Sequence, residues 1–179
     1  MNRLWAGWRM AYIQQVMKPK KGSKSGRNLP CLFCRQSAVR PSSKNLVLKV
    51  SPLVVVMLNL YPYNVGHVLV APRKHRASLA DLTEAETLDL GVWLARVERA
   101  LRKEYRPHGL NLGMNLGRVA GAGVLGHLHW HVVPRWNGDT NFMPVTAGTK
   151  VLPEALNRTY ARLRRALDAE AARGATRRR

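Results

Sequence analysis

Residues 127–134 read HLHWHVVP and place three of the chain's six histidines at every second position. Period two belongs to a strand, because alternate side chains of an extended chain point to opposite faces, whereas a helix would scatter them around its axis. His127, His129 and His131 therefore share one face, and Leu128, Trp130 and Val132 share the other. The second face is apolar and belongs in a core. The spacing predicts a strand over 127–134 in a sheet with one face buried and a histidine site on the other.

The rest of the chain supplies partners for that strand. NLVLKV (45–50) and LVVVMLNL (53–60) are rich in Val and Leu, and the Ser51-Pro52 break between them predicts a hairpin. YPYNVG reads as a loop, HVLVAP (67–72) as a third strand and LNLGMNLG (110–117) as a fourth. Thr83 with Glu86 three residues on has the form of a capping box. It predicts a helix to about Tyr105, with Leu88, Val92, Leu94, Ala95, Val97 and Leu101 as its apolar stripe. A second helix is expected over Pro153 to Ala172. Strands, helix, strands, helix with short links imply an α+β fold: a mostly antiparallel five-stranded sheet, a long helix packed on it and an additional C-terminal helix.

At 179 residues the chain holds one domain with a real core. Its formal charge of +20 is uneven: fourteen basic residues and no acid precede Asp81, the stretch to Leu152 is near neutral, and the end is basic again. Such a balance favours polyanions, meaning phosphates, nucleotides or nucleic acid. Residues 1–27 form an aromatic segment (Trp5, Trp8, Tyr12) followed by the flexible basic linker KPKKGSKSGR. Residues 28–155 form the main domain, and 156–179 the basic helix and tail ending in Arg177 to Arg179. The longest apolar run, Leu53 to Leu58, is far short of the ~20 residues of a membrane span. Arg9, Gln14 and Gln15 interrupt any leader-like apolar stretch, so no membrane association and a cytoplasmic location are expected. Two cysteines make no disulfide framework.

Along a strand His127 and His131 stand about 13 Å apart, too far to share one ion, so at least one of the three is free for chemistry. A neutral imidazole is a competent nucleophile toward phosphorus when its other nitrogen donates to a fixed acceptor. His129, flanked on both sides, is the best candidate. Just upstream, NLGRVAGAGVLG carries Gly117, Gly121, Gly123 and Gly126, and glycines let backbone N–H groups approach an anion. No GK[ST] follows, so this is not a P-loop. Cys31-x-x-Cys34 supplies two ligands of a tetrahedral zinc site; by itself it fits a redox pair or two buried thiols equally well.

HLHWHVV resembles the H-x-H-x-H-x-x signature, x apolar, of the histidine triad (HIT) superfamily of nucleotide hydrolases and transferases. VVMLNLYPYNVGHVLVAPRKH is similar to that family's second and third strands. PRWNGDTNFMPV resembles its dinucleoside tetraphosphate (Ap4A) phosphorylase-like and fragile-histidine-like branches. The resemblance spans about residues 28–155. It implies that His129 is the nucleophile attacking an α-phosphorus, with His127 and His131 as flanking partners. It implies ribose contact at Asn59, phosphate contacts at Asn115 and the Gly121-Ala122-Gly123 turn, and Trp136 lining the pocket. It also implies a structural zinc on Cys31, Cys34, His75 and His127, whereas His67 and His108 have no such match and read as structural or exposed. Related branches carry Gln, Ser or Thr in the turn; here it offers no hydroxyl or amide side chain, which leaves the leaving group and the acceptor open.

The resemblance thus implies cleavage of dinucleoside polyphosphates, with ATP and AMP among the nucleotides handled, by a homodimer; a tetramer stays open. Removal of AMP from adenylated DNA ends, aided by the basic tails, uses the same histidine, as does phosphoramidate hydrolysis. A nucleotide sensor without catalysis is a further alternative. A metallohydrolase built on His127 and His129 would need a nearby carboxylate, and only Asp139 is close in sequence.

Overall fold

The computed structural model describes residues 31–140 and 152–176. The expected N-terminal aromatic segment, the basic linker and Arg177 to Arg179 lie outside them, as do residues 141–145 of the quoted family-like stretch. Within them run α1 (Leu32–Gln36), β1 (Val47–Val50), β2 (Val54–Leu58), β3 (Val68–Pro72), a short 3-10 turn (Leu79–Asp81), α2 (Glu84–Tyr105), β4 (Gly109–Met114), β5 (Trp130–Arg135) and α3 (Leu156–Thr176).

The strands form one antiparallel sheet in the order β1-β2-β3-β5-β4. β2 and β3 are buried on both faces, and their alternation sorts residues into two cores. Leu48, Val54, Val56, Leu58, Val68, Val70 and Val132 meet Leu90, Trp93, Val97 and Leu101 of α2 and Leu163, Ala166 and Leu167 of α3. Val47, Val55, Met57, Leu69 and Ala71 face the other way and are covered by Phe33 of α1, with Val124 of the Gly-rich loop beside them. α3 thus packs into the same core as α2, so the boundary drawn at 156 separates stretches of chain and not packing units.

The capping box at α2 is present: Thr83 Oγ1 accepts from the Glu86 N–H at 3.2 Å, and the Thr83 N–H donates to Glu86 Oε2 at 2.9 Å. Glu86 is buried and also meets Arg76 at 3.2 Å. These bonds hold its carboxylate below the ordinary range, chiefly through the Thr83 N–H and against the opposing effect of burial.

Several elements differ from expectation: the C-terminal helix runs over Leu156–Thr176 and not Pro153 to Ala172, and on α2 the expected stripe residue Leu88 is exposed while Leu90 and Trp93 face the core. α1 was not foreseen, since five residues show no helical periodicity. β4 ends at Met114 instead of Gly117, because its last partner on β5 is Trp130. β5 begins at Trp130 and not at His127: β3 pairs only as far as Val70–Trp130, and the chain before that runs beside the segment leaving β3, where the Leu128 N–H donates to the Arg76 carbonyl at 2.6 Å. The alternation survives outside the ladder, with Leu128 buried and Trp130 and Val132 on the helix-covered core.

Candidate active site and metal-binding group

The three triad histidines lie on the α1 side of the sheet, and Phe33 is packed against two of them, with ring centroids 5.1 Å from His127 and 4.8 Å from His129. The partners of each ring fix its tautomer, because a carbonyl can only accept. His127 Nε2 lies 2.9 Å from the Pro72 carbonyl and therefore carries the proton, leaving the Nδ1 lone pair free. His129 Nδ1 lies 2.8 Å from the His127 carbonyl, so it donates there and leaves Nε2 unprotonated. Burial pushes both imidazoles below their usual range, which favours the neutral form.

His131 is fixed from the other side. His67 Nδ1 accepts the Tyr63 N–H at 3.0 Å, so its Nε2 bears the proton and donates to His131 Nδ1 at 2.9 Å. His131 therefore carries its own proton on Nε2, and burial, with His129 adding to it, holds its pKa down at about 4. His67, read from sequence as structural or exposed, is buried and hydrogen-bonded to the third triad histidine. The signal was its phase: it precedes Leu69 by two residues, and Leu69 pairs with His131. His108 is exposed, as expected, and accepts the Asn137 N–H at 2.9 Å.

His129 and His131 open on a cavity of about 460 Å³ also lined by Phe33, Asn59, Gly121 and Gly123. Arg35 and Lys44 stand on its wall, and among the described residues no carboxylate does. Asn59 lines this cavity, while its Oδ1 accepts the Tyr61 N–H at 3.0 Å. Asn115 reaches the Gly-rich turn, donating to the Gly121 carbonyl at 3.3 Å. Within the turn, the Gly121 N–H goes to the Arg118 carbonyl and the Ala122 N–H to the Gly117 carbonyl. Gly123 alone of the three turn residues keeps an N–H without a partner among the described residues. Trp136 is not brought to this cavity: it packs edge-on to Tyr105, 6.5 Å between centroids, in a separate cavity beside Glu154 and Arg162. Trp136, expected to line the pocket, thus lines a cavity other than the one onto which His129 opens.

Cys31, Cys34, His75 and His127 come together, with ligand atoms all within 4.8 Å of one another. Cys31 Sγ is 3.2 Å from His127 Nδ1, Cys34 Sγ is 3.6 Å from it, and Cys34 Sγ is 3.4 Å from His75 Nδ1. Tetrahedral zinc with ordinary bond lengths separates S and N by about 3.6 Å, so the spacing and the donor set both fit that ion. The Pro72 carbonyl behind His127 Nε2–H orients the ligand ring, as outer partners of metal-bound histidines do. His131 stays out of the group, and among the described residues no acid joins it.

The sheet with its histidine face and Cys-His cluster defines an α+β protein of the histidine-triad type. The profile of the HIT domain family matches residues 40–138, and the chain belongs to that family. It is 39% identical over 159 residues to the AP-4-A phosphorylase of Mycobacterium tuberculosis (strain ATCC 25618 / H37Rv), covering 89% of this chain and 80% of that one. It is 31% identical over 113 residues to the Protein hit of Bacillus subtilis (strain 168), covering 63% of this chain and 75% of that one. Among solved structures, a Zn-bound histidine triad family protein from Mycobacterium smegmatis superposes with a TM-score of 0.62 at 26% identity, covering 80% of this chain and 96% of that one. No helix of the described residues is long and apolar enough to cross a membrane.

Proposed function

We propose that this chain is a nucleotidyl transferase or hydrolase that cleaves dinucleoside polyphosphates such as Ap4A at the α-phosphorus through a covalent nucleotidyl-histidine on His129. The observation that carries the reading is the His129 tautomer: Nδ1–H is tied to the His127 carbonyl and the Nε2 lone pair is free on a residue lining the cavity. In the first step Nε2 forms a bond to the α-phosphorus, and the bond from that phosphorus to the bridging oxygen breaks, releasing ATP from Ap4A. The His131 Nε2–H, held by His67, is a donor for the departing oxygen. The Gly123 N–H and the positive wall of Arg35 and Lys44 stabilise charge on the phosphates.

In the second step an acceptor oxygen attacks the same phosphorus and His129 leaves. Inorganic phosphate gives ADP; water gives AMP. Phosphate is favoured, because the turn has no hydroxyl or amide to orient water, whereas a phosphate dianion is a nucleophile without a base. The name of the M. tuberculosis relative supports the same acceptor.

Cys31, Cys34, His75 and His127 would hold zinc with four protein ligands and no open position, a cross-link between α1 and the sheet. β4 is an edge strand with Leu112 exposed, which supports a homodimer through that edge. The test is product analysis of Ap4A turnover with and without inorganic phosphate. ADP plus ATP, formed only with phosphate, supports the reading; AMP plus ATP at a rate indifferent to phosphate transfers the role of acceptor to water; no turnover in either overturns it.

A further inference from the structure

Past His131 the triad face continues into a second cavity of about 400 Å³, lined by Tyr63, Asn111, Gly113, Asn115, His131 and Arg135. It meets the nucleophile's cavity at Tyr63 and His131, which line both. Its floor is the triad-side face of β4. The register sets Gly109 opposite Arg135, Asn111 opposite Val133 and Gly113 opposite His131, so these positions share the histidines' face. Two of the three are glycine. Neither Gly109 nor Gly113 has positive φ, and a Cβ on either would meet nothing within 4 Å. Backbone and packing would accept a side chain at both, and glycine weakens a strand. What glycine leaves here is width, the mark of a place where a ligand or another backbone comes close.

The polar groups are graded along this trough. At the near end His131 offers an Nε2–H. At the far end Arg135 is paired with Asp139 through Nε–Oδ2 at 2.6 Å and Nη2–Oδ1 at 2.8 Å, so its charge is already matched. Asn111 Oδ1 accepts from Arg135 Nη1 at 2.8 Å, which keeps Asn111 Nδ2 free to donate. From His129 to Arg135 the strand rises about 20 Å, enough for a phosphate chain followed by a nucleoside.

We propose that this trough is the subsite for the leaving nucleotide of a dinucleoside polyphosphate. Its phosphates pass His131 and Tyr63 over Gly113, its uncharged nucleoside lies further along, toward Asn111 and Arg135, and Gly113 sets the width through which a large leaving group must pass. The assignment rests on the function proposed above, and binding measurements separate the two.

The experiment compares the full chain with Gly113→Val, and with Gly113→Ala in case valine does not fold. Two ratios are read: kcat/KM for Ap4A over kcat/KM for adenosine 5′-phosphoramidate, whose leaving group is too small for the trough; and the affinity for Ap4A over that for AMP, by calorimetry in a His129→Ala background. Both ratios should fall by about tenfold or more in Gly113→Val and by less in Gly113→Ala. Ratios that do not change overturn the assignment. So does equal affinity for Ap4A and AMP in the Gly113 protein, or a drop in molecular mass by light scattering, which would assign the glycine face to a second copy. If Ap4A is not turned over but binds better than AMP, and Gly113→Val removes the advantage, the subsite stands and the reaction fails.

Discussion

Phe33→Ala tests the arrangement that joins α1, the metal-ligand group and the nucleophile. Phe33 is fully buried, the one residue of α1 in the second core, and its ring contacts both His127 and His129. Burying a phenyl ring contributes roughly 1.5–3 kcal/mol by transfer, and the cavity left by truncation raises the loss to about 3–5 kcal/mol. In a chain of this size that corresponds to a midpoint about 6–20 °C lower. The assay is urea unfolding followed by circular dichroism, with zinc and with a chelator. The loss should be larger with the chelator, because zinc on Cys31 and Cys34 would hold α1 in place by a second route. The kcat should also fall by roughly tenfold or more, since His129 loses the surface that sets its ring plane. A stability loss under about 1 kcal/mol in chelator would refute the reasoning, because it would mean that α1 does not seat its phenyl ring on the sheet in solution.

Three further outcomes are expected. Elemental analysis of purified protein should find one zinc per chain, lost in Cys34→Ser, and chelation should lower the thermal midpoint; a metal-free protein of unchanged stability would contradict this. The His131 pKa of about 4 lies below that of the unfolded chain, near 6.5. Between these values the unfolded chain binds the extra proton, so this group's contribution to stability is full above about pH 6.5 and is lost as pH falls toward about pH 4; His131→Asn should flatten that part of the stability profile, and an identical profile would count against a buried neutral ring. Thr83→Ala removes the acceptor for the Glu86 N–H and should cost about 1 kcal/mol, read as a lower urea midpoint at unchanged slope, whereas no shift would mean that the Glu86 carboxylate alone holds the helix start.

Periodicity made much of this protein legible. The alternation at 127–132 reported which histidines share a face, and it did so even where no ladder forms, because an extended chain alternates its side chains whether or not it is paired. Thr83 and Glu86 located the start of α2 because a capping box is a local device whose partners are three residues apart. The metal-ligand group came from matching four positions to a family pattern and not from spacing, since ligands separated by more than ninety residues leave no local signal. What stayed hidden depends on strand order. β3 lies beside β5, which brings His67 onto His131, and β4 lies outside β5, which puts Gly113 beside it. Neither adjacency follows from a list of strands. Trp136 shows the converse: its resemblance to a pocket tryptophan came from sequence position, and the bend after Arg135 carries it toward Tyr105 and the helices.

The central claim is that His129 carries the nucleotidyl group. The most direct measurement is rapid acid-free quenching of the protein with Ap4A labelled at the α-phosphorus, followed by mass spectrometry of the adduct and its peptide. The account predicts one adenylyl group on His129, formed before any ADP appears, discharged to ADP on adding phosphate, and missing from His129→Ala although that variant still binds nucleotide. Equal labelling of His129→Ala, or ADP released by the intact protein with no labelled intermediate at any time, would contradict it.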